Sequence, residues 1–185
     1  MRLFKKILKE ALPILILASF GGVIAGIIVN DISIYIAILP GILILAPAVM
    51  SLTDAILGMF NSRITSAIHD GDINTESFKN PVLRENILAI IIIITIVSIL
   101  LGIIAHFACL LLNHPSMGIL KFILIALLTN IFSYILMLLL SISVIFLAVK
   151  KKKDPDDLIF SISTVFSDIS SMFFLLLTIK LVTLL

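Results

Sequence analysis

The sequence predicts an all-α polytopic membrane protein with five transmembrane helices, and three observations support this fold class. Hydrophobic residues make up 61% of the 185 residues and charged residues only 13%, whereas a soluble domain contains about 45–50% and about 25%. Five stretches are apolar over the roughly 20 residues that a helix needs to cross a bilayer. The cationic residues then fall almost entirely on one side of the membrane. The excess of apolar surface excludes a soluble, disordered or disulfide-stabilised domain.

The five stretches make up one membrane domain over residues 1–185, with spans at residues 11–29, 32–69, 86–112, 117–149 and 158–183. The second and fourth stretches exceed one bilayer crossing, so we expect them to be tilted, kinked or to project from the membrane. Pro40 and Pro47 predict a kink or break in the outer part of the second stretch. Residues 52–69 are too polar to cross lipid alone, which favours one long element over two short spans.

The N-terminal segment begins with basic residues and continues as an apolar run to Val29. This run is longer than the core of a cleavable signal peptide, so we interpret it as a retained signal-anchor. Within it, Gly22 and Gly26 have the four-residue spacing that lets two membrane helices approach closely, although ordinary packing is the simpler explanation.

The distribution of Lys and Arg predicts the orientation of the chain. With five spans, Lys121 and Lys180 lie on the far side, near helix ends from which they can reach the interface. The other eleven lie on the side of the N-terminus: Arg2, Lys5, Lys6, Lys9, Arg63, Lys79, Arg84, Lys150, Lys151, Lys152 and Lys153. Because cationic loops stay in the cytoplasm, we expect a multi-pass protein of the plasma membrane with a cytoplasmic N-terminus and an extracellular C-terminus.

Other functional classes find little support in the sequence. The net charge is only +2 and the cations are clumped rather than spread along one face, which argues against a nucleic-acid partner. No nucleophile–base pair, P-loop or HExxH motif is present, so nothing indicates an enzyme or an organic cofactor. His69, His106 and His114 are spaced too irregularly for a metal site. Cys109 lies in an apolar run and is expected to be a packed thiol.

Two carboxylates, Asp54 and Asp168, lie deep inside predicted spans. Asp168 follows Asp157 by eleven residues, about 16 Å along a helix, and Asp54 precedes Arg63 by nine, about 14 Å. Both therefore reach a similar depth, near the middle of a hydrocarbon core about 30 Å thick. Ionisable residues at such depth are costly and mark functional sites by default.

The neighbours of these carboxylates repeat at the spacing of one helix face. The stripe in the last span consists of Asp157, Ser161, Thr164, Asp168 and Ser171, widened by Ser167; the stripe in the second span consists of Pro47, Ser51, Asp54, Gly58, Asn61 and Thr65; and a weaker stripe in the third consists of Thr95, Ser98, Gly102 and His106. Stripes of small polar residues are common at helix contacts. The two central carboxylates favour instead the wall of a polar path, which would be lined by Ser51, Asn61, Ser161, Thr164 and Ser167.

The chemistry of this path predicts a cationic ligand. No basic residue lies at the depth of Asp54 or Asp168 to balance their charge. Carboxylate, hydroxyl and carbonyl oxygens are hard ligands that suit Mg²⁺ or Ca²⁺. Since Mg²⁺ keeps most of its waters and accepts one or two carboxylates, we expect Mg²⁺ as the transported ion, with Asp168 as central ligand and Asp54 as a second ligand. A proton relay through Asp168 stays open.

The loops on the basic side are also acidic. Asp70 and Asp72 lie in one of them, and Asp156 and Asp157 lie in the other. Solvated loop charges and an N-terminal helix cap at Asp156 or Asp157 explain this pattern. The alternative is a weak cytoplasmic cation site formed by these four residues.

Residues 47–71 and 154–177 resemble the five-helix membrane domain of the MgtE family of magnesium channels and its eukaryotic solute-carrier relatives. The matching positions are Pro47, Ser62, Arg63, Thr65 and His69 in the first segment, and Asp154, Pro155, Asp156, Thr164 and Asp168 in the second. The resemblance implies an MgtE-like transmembrane domain in which Asp168 binds a hydrated ion at the pore axis. Two departures stand out: Asp54-Ala55 replaces a Gly-Asn pair, and Ser161 replaces a proline.

The resemblance also implies that two five-helix units work as a pair. One Asp168 is a poor cation site, whereas a two-fold axis places two of them together. We therefore expect a dimer with a second copy or a paralogue in the lipid bilayer, with divalent cations passing on the axis. Two alternatives remain open: a non-conducting subunit of a membrane assembly, and a proton- or sodium-coupled cation carrier.

Overall fold

The computed structural model describes residues 2–73, 80–151 and 155–184, and in these ranges the chain forms five long helices. They are α1 (Arg2–Ser33), α2 (Leu45–His69), α3 (Pro81–Leu111), α4 (Ile119–Lys150) and α5 (Pro155–Thr183), with a short 3-10 helix at Ile42–Ile44 before α2. Each of the five contains a segment that is long and apolar enough to cross a membrane. The all-α, five-helix fold class predicted from the sequence is thus confirmed.

The chain reverses between α1 and α2 around Pro40 and Gly41. Gly41 has a φ of 85°, a left-handed conformation that glycine adopts without strain. A Cβ at this position would lie 2.6 Å from the Cys109 sulfur, so the turn also packs tightly against α3. The break therefore falls at this turn, while Pro47 lies in the first turn of α2, where proline is tolerated.

The ends of α2 and α3 show why the helices begin and stop where they do. Gly71, just after α2, has a φ of 83°, which ends the helix in the manner typical of glycine. Before α3, the Asn80 side chain accepts a hydrogen bond from the backbone N–H of Val82 at 2.8 Å. Pro81 occupies the first helical position, where its missing N–H has no cost.

Helices α4 and α5 are at the centre of the helix packing. α5 contacts α1, α2 and α4, and α4 contacts α2 and α3 as well. The contact of α1 with α5 uses Gly21, where a Cβ would lie 2.9 Å from the carbonyl oxygen of Val165. Gly22 and Gly26 instead have no atom of the described chain within 4 Å of such a Cβ. No other helix of the described chain therefore packs against this glycine pair.

The interior is divided into two apolar layers. The upper layer lies at the end with the α1–α2 turn and contains Leu45, Val49, Phe122, Ile125, Met172, Leu175 and Ile179. The lower layer lies at the end with Lys150 and contains Ile56, Phe60, Ile64, Ile90, Ile94, Tyr134, Met137 and Ile145. Both layers draw residues from α2, α3 and α4, so the same helices cross from one layer to the other.

A polar belt separates the two layers at the middle of the bundle. It consists of Thr53 on α2, Ser98 on α3, Thr129, Asn130 and Ser133 on α4, and Ser167, Ser170 and Ser171 on α5. Each of these side chains is at most 5% exposed. Each of the four helices thus contributes small polar residues to this belt. Such residues let membrane helices approach one another closely.

Candidate functional site: two carboxylates at the contact of α2 and α5

Asp54 lies on the outer side of the α2–α5 contact, and its side chain is exposed in the single protomer. The hydroxyl of Ser167, a fully buried residue of α5, donates a hydrogen bond to Oδ1 of Asp54. No Lys or Arg among the described residues forms an ion pair with this carboxylate. Ser167 therefore orients the Asp54 carboxylate, and no cationic side chain of the described residues balances the charge of that carboxylate.

Asp168 is the residue after Ser167 on α5 and is half-buried. Because Ser167 donates to Asp54, the neighbouring residue Asp168 lies beside the same helix contact. Packing of α2 against α5 therefore brings together the two carboxylates that the sequence placed at a similar depth. Such a pair can attract and hold a cation that arrives from outside the protomer.

Three side-chain contacts set the antiparallel register of α2 and α5. Asp54 pairs with Ser167 as described above. The hydroxyl of Ser171 donates to that of Thr53 at 3.0 Å, and Asn61 Nδ2 donates to the hydroxyl of Ser163 at 3.1 Å. These contacts extend over two turns of each helix, so the position of the two carboxylates is held from above and below.

The predicted stripe on α2 divides into an exposed part and a buried part. Pro47, Ser51, Asp54 and Gly58 are exposed, as is the neighbouring Ser62; we call these five residues the polar face of α2. Asn61 and Thr65, by contrast, are only 6% and 1% exposed. Asn61 faces α5 rather than an open path.

The remaining predicted path residues lie on α5. Ser167 is buried behind Asp54. Ser161 and Thr164 belong to the same helix, but their side chains lie outside the described part of the chain. Their role as path-lining residues therefore stays a prediction.

The acidic residues of the basic-side loops are not brought together by the described part of the structure. Asp70 and Asp72 are exposed at the end of α2. Asp156 and Asp157 lie in the first turn of α5, with side chains that are not described. Among the described residues, no group of three or more His, Cys, Asp or Glu side chains could hold a metal ion.

Apart from Thr95, whose hydroxyl donates to the Ile91 carbonyl of its own helix, the weaker stripe on α3 packs inside the protomer. Ser98 accepts a hydrogen bond from Asn130 Nδ2 at 2.9 Å. A Cβ on Gly102 would lie 2.5 Å from the Cα of Ile123, which is the closest such approach in the described chain. Near the end of α3, Nδ1 of His106 is 2.8 Å from the hydroxyl of Ser116.

Sequence reasoning missed the α4 side of the polar belt. The Ser133 hydroxyl is 3.1 Å from that of Ser170 and 3.4 Å from that of Ser171. Ser133 thereby joins α4 to α5, and Ser171 in turn donates to Thr53 on α2. The available signal was the cluster of Thr129, Asn130 and Ser133 in an otherwise apolar span.

Comparison with known proteins identifies the family. The family model for MgtE, described as a divalent cation transporter, matches residues 46–178, well over half of the chain. No curated protein and no solved structure gave a match. The matched region contains α3 and α4, nearly all of α2 and most of α5, with both membrane carboxylates. On this evidence the chain belongs to the MgtE family of divalent cation transporters.

Proposed function

We propose that this protein conducts or transports Mg²⁺ along the two-fold axis of a parallel dimer, with Asp168 and Asp54 as the ion-binding residues. The observation that carries the proposal is the polar face of α2, which the single protomer leaves exposed beside Asp168. Divalent cation transport follows from the family; the ion, the dimer and the residues are the proposal.

The polar face of α2 needs a neighbour other than lipid. A charged Asp at the centre of a membrane helix costs about 2.5–3.5 kcal/mol against lipid. Asp54 is exposed in the protomer, and a Cβ added to Gly58 would have no atom within 4 Å. A second five-helix unit, identical or paralogous, related by a two-fold axis would cover this face with itself.

The dimer would place four carboxylates around one axis. Each protomer supplies Asp54, which accepts a hydrogen bond from Ser167, and Asp168, the next residue of α5. Mg²⁺ releases its waters reluctantly and is usually bound through one or two carboxylates and several waters. The exposed hydroxyl of Ser51 would accept or donate hydrogen bonds to those waters. This set of ligands favours Mg²⁺ over Ca²⁺, which takes six to eight oxygen ligands in a more flexible geometry and keeps fewer waters.

The proposed orientation places the chain in the plasma membrane with its N-terminus in the cytoplasm. The start of α3 and the ends of α2 and α4 lie at the same end of the bundle as the N-terminus. Arg84 and Lys150, at the start of α3 and the end of α4, lie there as well. Cationic residues of short loops are retained on the cytoplasmic side.

The test is Mg²⁺ uptake by the purified full chain in proteoliposomes. Asp168→Ala should abolish uptake while the dimer persists, because the central ligand is lost but the described hydrogen bonds of α5 to α2 and α4 are kept. The matched control is Asp31→Ala, which removes an exposed carboxylate near the end of α1 and should leave uptake unchanged.

Other outcomes distinguish the alternatives. Unchanged uptake in Asp168→Ala would contradict the central role of that residue. No uptake by the unmodified chain would favour a non-conducting assembly subunit. Uptake that occurs only with an imposed pH or sodium gradient would favour a coupled carrier.

A further inference from the structure

Several buried polar atoms of α4 have no hydrogen-bond partner among the described residues. They are Thr129 Oγ1, Asn130 Oδ1, Tyr134 OH and Ser141 Oγ. All four residues are at most 1% exposed. Asn130, Tyr134 and Ser141 follow one another at intervals of four and seven, which places them on one face of the helix. This face runs from the polar belt into the lower apolar layer.

Asn130 and Tyr134 are the informative members of this set. A helical Ser or Thr hydroxyl can turn to the carbonyl oxygen of the preceding turn, so Thr129 and Ser141 could pair with their own helix. The Asn130 amide donates from Nδ2 to Ser98, but its Oδ1 accepts no hydrogen bond from the described residues. Exchanging the amide oxygen and nitrogen would leave Nδ2 unpaired instead, so one polar atom needs a partner in either case.

The Tyr134 hydroxyl has no such local partner. Its ring is packed in the lower apolar layer with residues of α2 and α3, and a phenol oxygen is too far from its own backbone to bond to it. Long side chains on a helix point back toward its N-terminus. The phenol therefore extends toward the turn that carries Asn130, one turn earlier in the chain.

We propose that each protomer binds ordered water between Asn130 and Tyr134, where α2, α3 and α4 meet. Tyr134 OH can donate to a water, which in turn can donate to Asn130 Oδ1. The hydroxyl of Ser98, which accepts from the Asn130 amide, is the third polar group of the proposed site. Buried waters make about three hydrogen bonds to polar groups of this kind. The ligating atoms are neutral, so water is the ligand rather than a divalent cation.

This site lies inside the protomer and is separate from the polar face of α2. Among the described residues, the Asn130 amide bonds to Ser98 and Asp54 accepts from Ser167, and no hydrogen bond links the two pairs. The water site therefore does not depend on the dimer or on the transported ion.

Radiolytic hydroxyl-radical footprinting of the purified full chain tests the proposal. Radicals formed from a bound water oxidise the residues beside it, and methionine is highly reactive. Met137 lies on the same face of α4 as Asn130 and Tyr134, whereas Met172 lies in the upper apolar layer; both are 0% exposed. Met137 and Tyr134 should be oxidised severalfold faster than Met172. Equal rates for the two methionines, whether fast or slow, would overturn the proposal.

Two variants give a second readout. Asn130→Leu replaces the amide by an apolar side chain of the same branched shape and should reduce Met137 oxidation toward the rate of Met172. Tyr134→Phe should lower the thermal midpoint of the protein, because it removes a water-bound hydroxyl. A higher midpoint would show that the hydroxyl is unpaired in an apolar site, and would also overturn the proposal.

Discussion

The polar face of α2 and the polar belt are built from the same residue types and differ in where the tertiary structure places them. In the belt, Ser98, Ser133 and Ser171 are fully buried and bond to neighbouring helices. On the polar face of α2, Ser51, Asp54 and Gly58 are exposed in the protomer. The belt therefore holds four helices together, while the face is left for water, ions or a second copy.

The comparison shows why a polar residue in a membrane helix is not by itself a functional residue. Small polar side chains stabilise contacts between helices when each has a partner inside the bundle. On the polar face of α2, by contrast, Asp54 bonds to Ser167 at the edge of the bundle, while Ser51 and Gly58 are exposed. Substitutions should thus affect folding in the belt and transport on the face.

The largest expected effect is a loss of thermal stability at Gly102, which lies at the contact of α3 with α4, compared with Gly58 on the polar face of α2. Gly102→Ala puts a Cβ 2.5 Å from the Cα of Ile123, a backbone atom that cannot turn away. Overpacking of this kind costs about 1–3 kcal/mol, so we expect a lower thermal midpoint. Gly58→Ala meets no atom within 4 Å and should leave the midpoint of the monomeric unit unchanged. Thermal unfolding monitored by circular dichroism in detergent measures both.

Equal losses of thermal midpoint in Gly102→Ala and Gly58→Ala would contradict the distinction between buried helix contacts and the polar face of α2. A loss confined to Gly58→Ala would place Gly58 at a stabilising contact that a second copy provides.

The second prediction separates charge from packing. Asp54→Ala should reduce Mg²⁺ uptake about tenfold, which corresponds to about 1.4 kcal/mol, because a dimer would lose two of its four carboxylates. Its midpoint should fall less than that of a belt variant, since the Asp54 side chain is exposed and the Ser167 hydroxyl can turn to a carbonyl of its own helix. Ser170→Ala is the matched variant in the belt. It removes the hydroxyl that contacts Ser133 and should cost about 1 kcal/mol of stability with little change in uptake per folded protein. Uptake unaffected by Asp54→Ala would limit the ion-binding role to Asp168.

The smallest effect is expected at Ser167, which belongs to both regions. Its side chain is buried in the belt, and its hydroxyl donates to Asp54 on the face. Ser167→Ala should raise the Mg²⁺ concentration for half-maximal uptake severalfold, because Asp54 loses the contact that orients it. Ser167→Thr keeps the hydroxyl and should restore most of the affinity. A change in maximal uptake alone, with the same half-maximal concentration, would argue against an orienting role.

Much of the candidate site could be predicted from the sequence. Asp54 and Asp168 stand out because they are carboxylates in apolar spans, and their similar depth follows from the rise of a helix. The Ser167–Asp54 contact could not be predicted, since it joins residues 113 positions apart. The spacing of three and four also assigned Gly58 and Asn61 to one stripe. In the structure one is exposed and the other is buried against α5.

The sequence by itself determined the five helices, their apolar length and the depth of the two carboxylates, because hydropathy and helical rise are local properties. Only the tertiary structure decided which side of each helix is buried. Gly21 contacts α5 whereas Gly22 and Gly26 do not, and Asn130 reaches Ser98 across to α3. These outcomes depend on which surfaces of distant segments fit together. The sequence of a helix that is apolar on most sides does not indicate which side is buried.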